Sequence, residues 1–254
     1  MDKKIVLITG GTSGIGLSTI RKFLDELKND VEIISISRSE EKIKNATLAL
    51  KPFEKQVHFF QADVSNKNEI EKVQKEISTK FSKIDILINN AGSIIPGGLE
   101  GLSFENWDSC ITNNLSSFFY VTKVFVDMLK KSEYPSIVNI SSISSRLSGA
   151  SMGYSVAKAG ADMVTMCLAR ELSKHKIRVN GVNPGITKSG FQVNNGLMDD
   201  VQYETFLENI SKDYPIGIGE CNDVSELIFY LTCEKAKWIT GSIYIIDGGR
   251  SVNI

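Results

Sequence analysis

Residues 9–16 read Thr-Gly-Gly-Thr-Ser-Gly-Ile-Gly, directly after the apolar run Ile5-Val-Leu-Ile8, and no other feature of the chain restricts its fold as strongly. Glycines this dense after a buried strand predict a tight turn whose backbone comes close to a ligand. The next residues place Ile15, Ile20, Phe23, Leu24 and Leu27 on one face of a helical period, so the loop opens an amphipathic helix. Free N–H groups at such a helix start suit a pyrophosphate. The Gly-Lys-Ser/Thr ending of a mononucleotide loop is missing. That leaves dinucleotide binding, with Gly10, Thr12, Ser13, Gly14, Ile15 and Gly16 as candidate contacts.

The rest of the chain repeats the strand-then-helix order. Further strands are expected at 31–37, 57–62, 84–89, 137–141, 178–183 and 242–246, most of them nearly continuous apolar runs of the kind covered on both faces in parallel sheets. Helical periodicity separates them at about 67–81, 104–130, 150–174 and 223–233. The expected fold is therefore α/β, a doubly wound parallel sheet of about seven strands, with residues 1–254 forming one domain. The alternation fails at about residues 186–219, where Phe191, Leu197, Met198, Tyr203, Phe206 and Leu207 stand among polar residues. This segment is expected to be a partly helical flap rooted at the carboxyl end of the sheet, able to cover a substrate.

Lysine and arginine total 29 against 30 acidic residues, for a formal net charge of −1, and no block of like charge stands out. Neither nucleic acid nor a membrane surface is expected as a partner. The cysteines (Cys110, Cys167, Cys221, Cys233) form no Cys-x-x-Cys pair and lie far from His58 and His175, so no metal site is expected. Sparse cysteine suits a reducing compartment, and the apolar run near the start breaks at Gly10 and Gly11 as a strand would; the cytoplasm is the expected location.

Where an NAD-binding unit places an acid for the ribose 2′-hydroxyl, the second strand ends in Ser37-Arg38. A guanidinium can hold a 2′-phosphate through paired N–H donors, whereas a carboxylate would repel it. NADP is thus the expected cofactor, with NAD as the alternative if Arg38 is only a solvated strand-end charge.

Tyr154 and Lys158 stand four apart in Tyr-Ser-Val-Ala-Lys and share one face of a helix. Together with Asn89-Asn90-Ala91-Gly92 closing the fourth strand and Ser141-Ser142 closing the fifth, they make the chain resemble a single-domain short-chain dehydrogenase/reductase, from Lys3 to about Val252. The resemblance implies a Rossmann fold and an oxidoreductase that moves a hydride between a nicotinamide dinucleotide and a carbonyl or alcohol carbon. It implies that Tyr154 is the proton donor and acceptor, that Asn114 anchors a relay water, and that Asp63-Val64 meet the adenine. Asn90-Ala91-Gly92, Pro184-Gly185-Ile186 and Ser189 would then line the cofactor, and the chain would assemble as a homodimer or homotetramer.

The side chains agree with those roles. The alkoxide left by hydride transfer needs a nearby acid, and a free tyrosine of pKa near ~10 is too reluctant to cycle at neutral pH, so Lys158 and the charge of the oxidised cofactor are together expected to favour the Tyr154 phenolate. Either serine could orient the carbonyl: Ser141 keeps the family's spacing to the tyrosine, and Ser142 keeps the strand match. Loops absorb deletions more easily than buried strands, which favours Ser142. The expected substrate wall (Ile94, Ile95, Ile143, Leu147, Met152, Phe191, Leu197, Met198) is mostly apolar, with Arg146 as a candidate for a substrate carboxylate. The competing reading is a regulatory protein that senses NADP without turnover; the intact serine, tyrosine and lysine argue against it.

Overall fold

Seven strands pair in the order β3-β2-β1-β4-β5-β6-β7, every pair parallel. They are β1 (Lys4–Thr9), β2 (Val31–Ser37), β3 (Val57–Gln61), β4 (Ile86–Asn89), β5 (Ser136–Ile140), β6 (Arg178–Pro184) and β7 (Ile243–Ile246). Such a sheet must be covered on both faces, and two apolar layers do this. One packs α1 (Gly14–Leu27) and α9 (Cys221–Thr232) through Phe23, Leu24, Val224 and Ile228. The other packs α3 (Lys67–Lys80), α5 (Ser117–Leu129) and α6 (Met152–Leu172) through Ile70, Phe125 and Leu168. The strand order reverses between β1 and β4, and a crevice opens at the carboxyl ends of the strands there. The computed structural model describes residues 3–149 and 151–252. Among them, no helix is long and apolar enough to cross a membrane.

Several boundaries differ from the sequence expectation for identifiable reasons. The helix expected over 104–130 is divided into α4 (Phe104–Ile111) and α5 by a wider turn at Thr112–Ser116. That turn brings the Asn114 side chain inward, where its amide replaces helix-internal bonds. A ten-residue helix, α2 (Glu40–Ala49), lies where none was expected because its apolar face is weak and only Ala46 is buried. The strand expected from 84 begins at Ile86, since Asp85 uses its carboxylate to accept from the Ile5 N–H at 2.8 Å. The expected helix start at residue 150 lies outside the described residues. The flap contains α7 (Phe191–Asn194) and α8 (Asp200–Ser211). Two tyrosines root it: Tyr203 Oη accepts from Gly190 N and donates to the Thr187 carbonyl, both at 3.2 Å, and Tyr214 Oη accepts from Ile186 N at 2.9 Å.

Candidate active site

The glycine loop takes a backbone path that side chains would block. Gly10 and Gly14 have φ of +71° and +52°, and a Cβ on Gly16 would collide with the Gly10 carbonyl. Asn90 pins the loop to the end of β4, its Nδ2 donating to the carbonyls of Thr9 and Gly10 at 3.0 Å. Thr9 Oγ1 accepts in return from the N–H groups of Asn90 and Ala91, also at 3.0 Å. Two sequence-distant loops are thereby held as one surface.

Above that surface lies a cavity of about 700 Å³. Every residue named from the sequence as a cofactor contact lines it, from Gly10 and Thr12 through Arg38, Asp63 and Asn90 to Pro184, Gly185, Ile186 and Ser189. The residues fit a dinucleotide. A Cβ on Gly92 would stand 2.8 Å from Asn114 Oδ1 and 3.6 Å from Lys158 Nζ, so glycine there keeps the cavity floor open beside the lysine. Among the described residues Ser37 Oγ, beside Arg38, has no hydrogen-bond partner. Arg38 itself is exposed, and among the described residues its guanidinium has one ion-pair neighbour, Asp63 at 4.0 Å. Asp63 also closes a turn, its Oδ1 accepting from Ser65 N at 2.9 Å, so the local structural role and the cavity-facing position coexist.

The catalytic end is organised by the start of α6. Ser151 caps the helix by accepting from Tyr154 N at 3.2 Å and donates its own hydroxyl to the Ile95 carbonyl. Tyr154 and Lys158 follow on one face, and Ser142, just past the end of β5, lines the same cavity near enough to Tyr154 to oppose the rise of its pKa. Ser141 points elsewhere: it is buried and donates to the Lys158 carbonyl at 2.9 Å. The structure thus brings Ser142, and not Ser141, to the tyrosine.

Burial dominates the electrostatics at this end. It pushes the Tyr154 pKa up to about 12, outweighing the opposing influence of the Ser142 side chain. Desolvation likewise pulls the Lys158 pKa down to about 7, against the opposing attraction of Asp162. Its Nζ donates to the Ile140 carbonyl at 2.8 Å and lies over the rings of Phe118 and Tyr154, at 5.1 and 5.5 Å from their centroids. A cation over the ring face stabilises the phenolate oxygen less than one beside it. In the protein alone Tyr154 is therefore held firmly as an acid.

Asn114 is the other surprise. Its Oδ1 accepts from Ser93 N at 3.1 Å, and its Nδ2 donates to the carbonyls of Ser93 and Cys110 at 2.8 and 2.9 Å. Both polar atoms are engaged, so its side chain ties the loop after β4 to the interrupted helix. Of the expected substrate wall, Ile94, Ile143, Leu147, Phe191, Leu197 and Met198 line the cavity, whereas Ile95 and Met152 do not. Met152 faces outward and Ile95 is engaged through its carbonyl by Ser151. Arg146 is exposed and outside the lining. Sequence reading missed Lys42, Gln192, Asn194, Asn195, Ile210, Tyr214 and Arg250 as lining residues. No local pattern marks them; Lys42 reaches the cavity from α2, and the others through the folding of the flap and the chain's end.

Comparison with known proteins agrees with this geometry. The family model described as short chain dehydrogenase matches residues 4–199. The 3-oxoacyl-(acyl-carrier-protein) reductase FabG of Chlamydia pneumoniae is 32% identical over 248 residues, covering 97% of this chain and 96% of the relative. The enzyme of that name from Thermotoga maritima is 30% identical over 98% of both chains. Among solved structures, ElxO with NADP bound superposes with a TM-score of 0.87 at 31% identity, covering 98% of this chain and 99% of that one.

Proposed function

The chain belongs to the short-chain dehydrogenase family, and from that premise we propose that it is an NADP(H)-dependent reductase of an apolar, acyl-type carbonyl substrate. It is an oxidoreductase acting between a nicotinamide dinucleotide and a carbonyl or alcohol carbon. When bound, the nicotinamide supplies or accepts the hydride. The observation that carries the reading is the convergence of Ser142, Tyr154 and Lys158 on the cavity that also contains the glycine loop.

The chain's own residues then divide the work. Ser142 orients the carbonyl oxygen, and Tyr154, kept protonated by burial, delivers a proton to the developing alkoxide. Lys158, with its Nζ over that ring, anchors the ribose side of the cavity. Asn114, with its side chain tying the loop after β4 to the interrupted helix, holds the position that the resemblance assigns to the anchor of a relay water. The wall formed by Ile94, Ile143, Leu147, Phe191, Leu197 and Met198 supports an acyl or other apolar group rather than a sugar.

Assays of 3-oxoacyl thioesters, aliphatic ketones and sugars with NADPH and with NADH, followed by loss of reduced-nicotinamide absorbance, test this. The expected result is turnover of the acyl or aliphatic carbonyls with NADPH; turnover of sugars alone would overturn the substrate class. Self-association is also proposed. Phe119 on α5 and Val156, Met163 and Met166 on α6 are 51%, 46%, 56% and 40% exposed, an apolar face suited to a second copy. Sedimentation of the full chain would give a dimer or tetramer mass.

A further inference from the structure

We infer that Lys42 is a second cation reading the ribose 2′-phosphate, held in position by the flap through Asn194; this rests on the NADP(H) reading above. Sequence reasoning leaves the discrimination to Arg38, because Ser13 occupies the other place where a basic residue would be sought. The Arg38 side chain is 63% exposed, and its one acidic neighbour lies at 4.0 Å, a loose surface pair of little consequence.

Lys42 is better placed. It is the third residue of α2, whose cap Ser39 accepts from the Lys42 N–H at 3.3 Å. Its Nζ donates to Asn194 Oδ1 at 2.8 Å, joining α2 to the end of α7 across 152 positions of sequence. The Asn194 amide cannot be the other way round, since its Nδ2 donates to the Gly190 carbonyl at 2.9 Å.

An ammonium carries three donors, and one is used on a neutral oxygen. Among the described residues no carboxylate lies within ion-pair distance of Lys42, so its charge is uncompensated. Lys42 and Arg38 line the same end of the cavity with Ser37 and Ser39, and Ser37 Oγ is unpartnered. The first turn of α2 adds N–H groups that favour an anion. Glu40 and Glu41 share that turn but are exposed and outside the lining, so a phosphate in the cavity meets the cations.

A 2′-hydroxyl offers Lys42 only a neutral partner, whereas a 2′-phosphate offers a dianion; the lysine therefore separates the two cofactors. Asn194 is a positioning residue. It limits the rotamers of Lys42, so the flap and the phosphate are held by one ammonium.

Isothermal titration of the full chain with NADPH, NADH and adenosine 2′,5′-bisphosphate tests the inference. Lys42→Met should weaken NADPH and the bisphosphate about tenfold and leave NADH unchanged, because only the charge-assisted contact is lost. Asn194→Ala should weaken the same two ligands about threefold, and Lys42→Arg should keep the parent's preference, since both act through the position and charge of the cation. Arg38→Met serves as the control that also loses NADPH. Equal weakening of NADPH and NADH by Lys42→Met would make Lys42 a flap tie without cofactor choice and overturn the inference, as would unchanged NADPH binding. A parent that binds neither dinucleotide, or favours NADH, would overturn the functional reading itself, an outcome visible before any variant is made.

Discussion

The floor and the roof of the cavity are built by different means. The floor is backbone: the loop at residues 9–16 packs against the end of β4, and a side chain on Gly16 has nowhere to go. The roof is side chains: Asn194 reaches Lys42, and Asn195 Oδ1 accepts from Ile94 N at 3.3 Å, so adjacent asparagines fasten the flap to opposite sides. A floor that depends on main-chain clearance tolerates almost no substitution, while the outer edge of the roof, rooted by Tyr203 and Tyr214 but fastened to each side by one side-chain hydrogen bond, can open and re-form at small cost. The same cavity thus pairs a rigid phosphate site with an adjustable substrate cover.

The sharpest test of this division is Tyr154→Phe, at the boundary between the two. Removing the proton donor should lower the turnover rate by about 10²–10⁴-fold, while titration finds cofactor affinity unchanged because the ring's packing remains. Loss of cofactor binding in that variant would mean the floor does not stand by itself.

Lys158→Met addresses the buried charge of the floor. The folded Lys158 pKa of about 7 lies below the ordinary lysine value, so the unfolded chain binds the extra proton between about pH 7 and 10.5 and stability rises with pH across that window. The methionine variant should be more stable at pH 7, by on the order of 4 kcal/mol, and the gain should fade as the pH approaches 10.5. Denaturant melts across that range check it; a constant difference would contradict the desolvation of Lys158.

Gly16→Ala should weaken both dinucleotides about a hundredfold or more, because the added carbon displaces the Gly10 carbonyl and with it the loop. Titration with NADPH and NADH measures this. Asn195→Ala should have the smallest effect, raising the substrate KM by only about three- to tenfold, as for the loss of one neutral hydrogen bond. A larger loss there than in Gly16→Ala would reverse the comparison.

The difference between floor and roof also explains what could be read in advance. The glycine loop was legible because a positive φ and a close backbone approach demand particular residues at particular positions. The boundaries of β2 were legible because its β-branched residues Val31, Ile33, Ile34 and Ile36 mark out the mostly buried strand Val31–Ser37. The helix α2 was not, since it buries only Ala46 and has almost no amphipathic pattern. Lys42 carried no signal because its partner lies 152 residues away.

What the sequence by itself determined are features set within a few residues: the strand-helix alternation, the phosphate loop, and the i, i+4 pairing of Tyr154 with Lys158 on one helix. The tertiary structure alone decided which serine lies near Tyr154, how strongly burial raises the Tyr154 pKa, that Asn114 is engaged as a tie, and that the flap meets Lys42. The physical reason is range. Backbone conformation and periodicity are local and leave their mark in adjacent residues, whereas desolvation and side-chain contact depend on every element packed around a group, and these come from all parts of the chain.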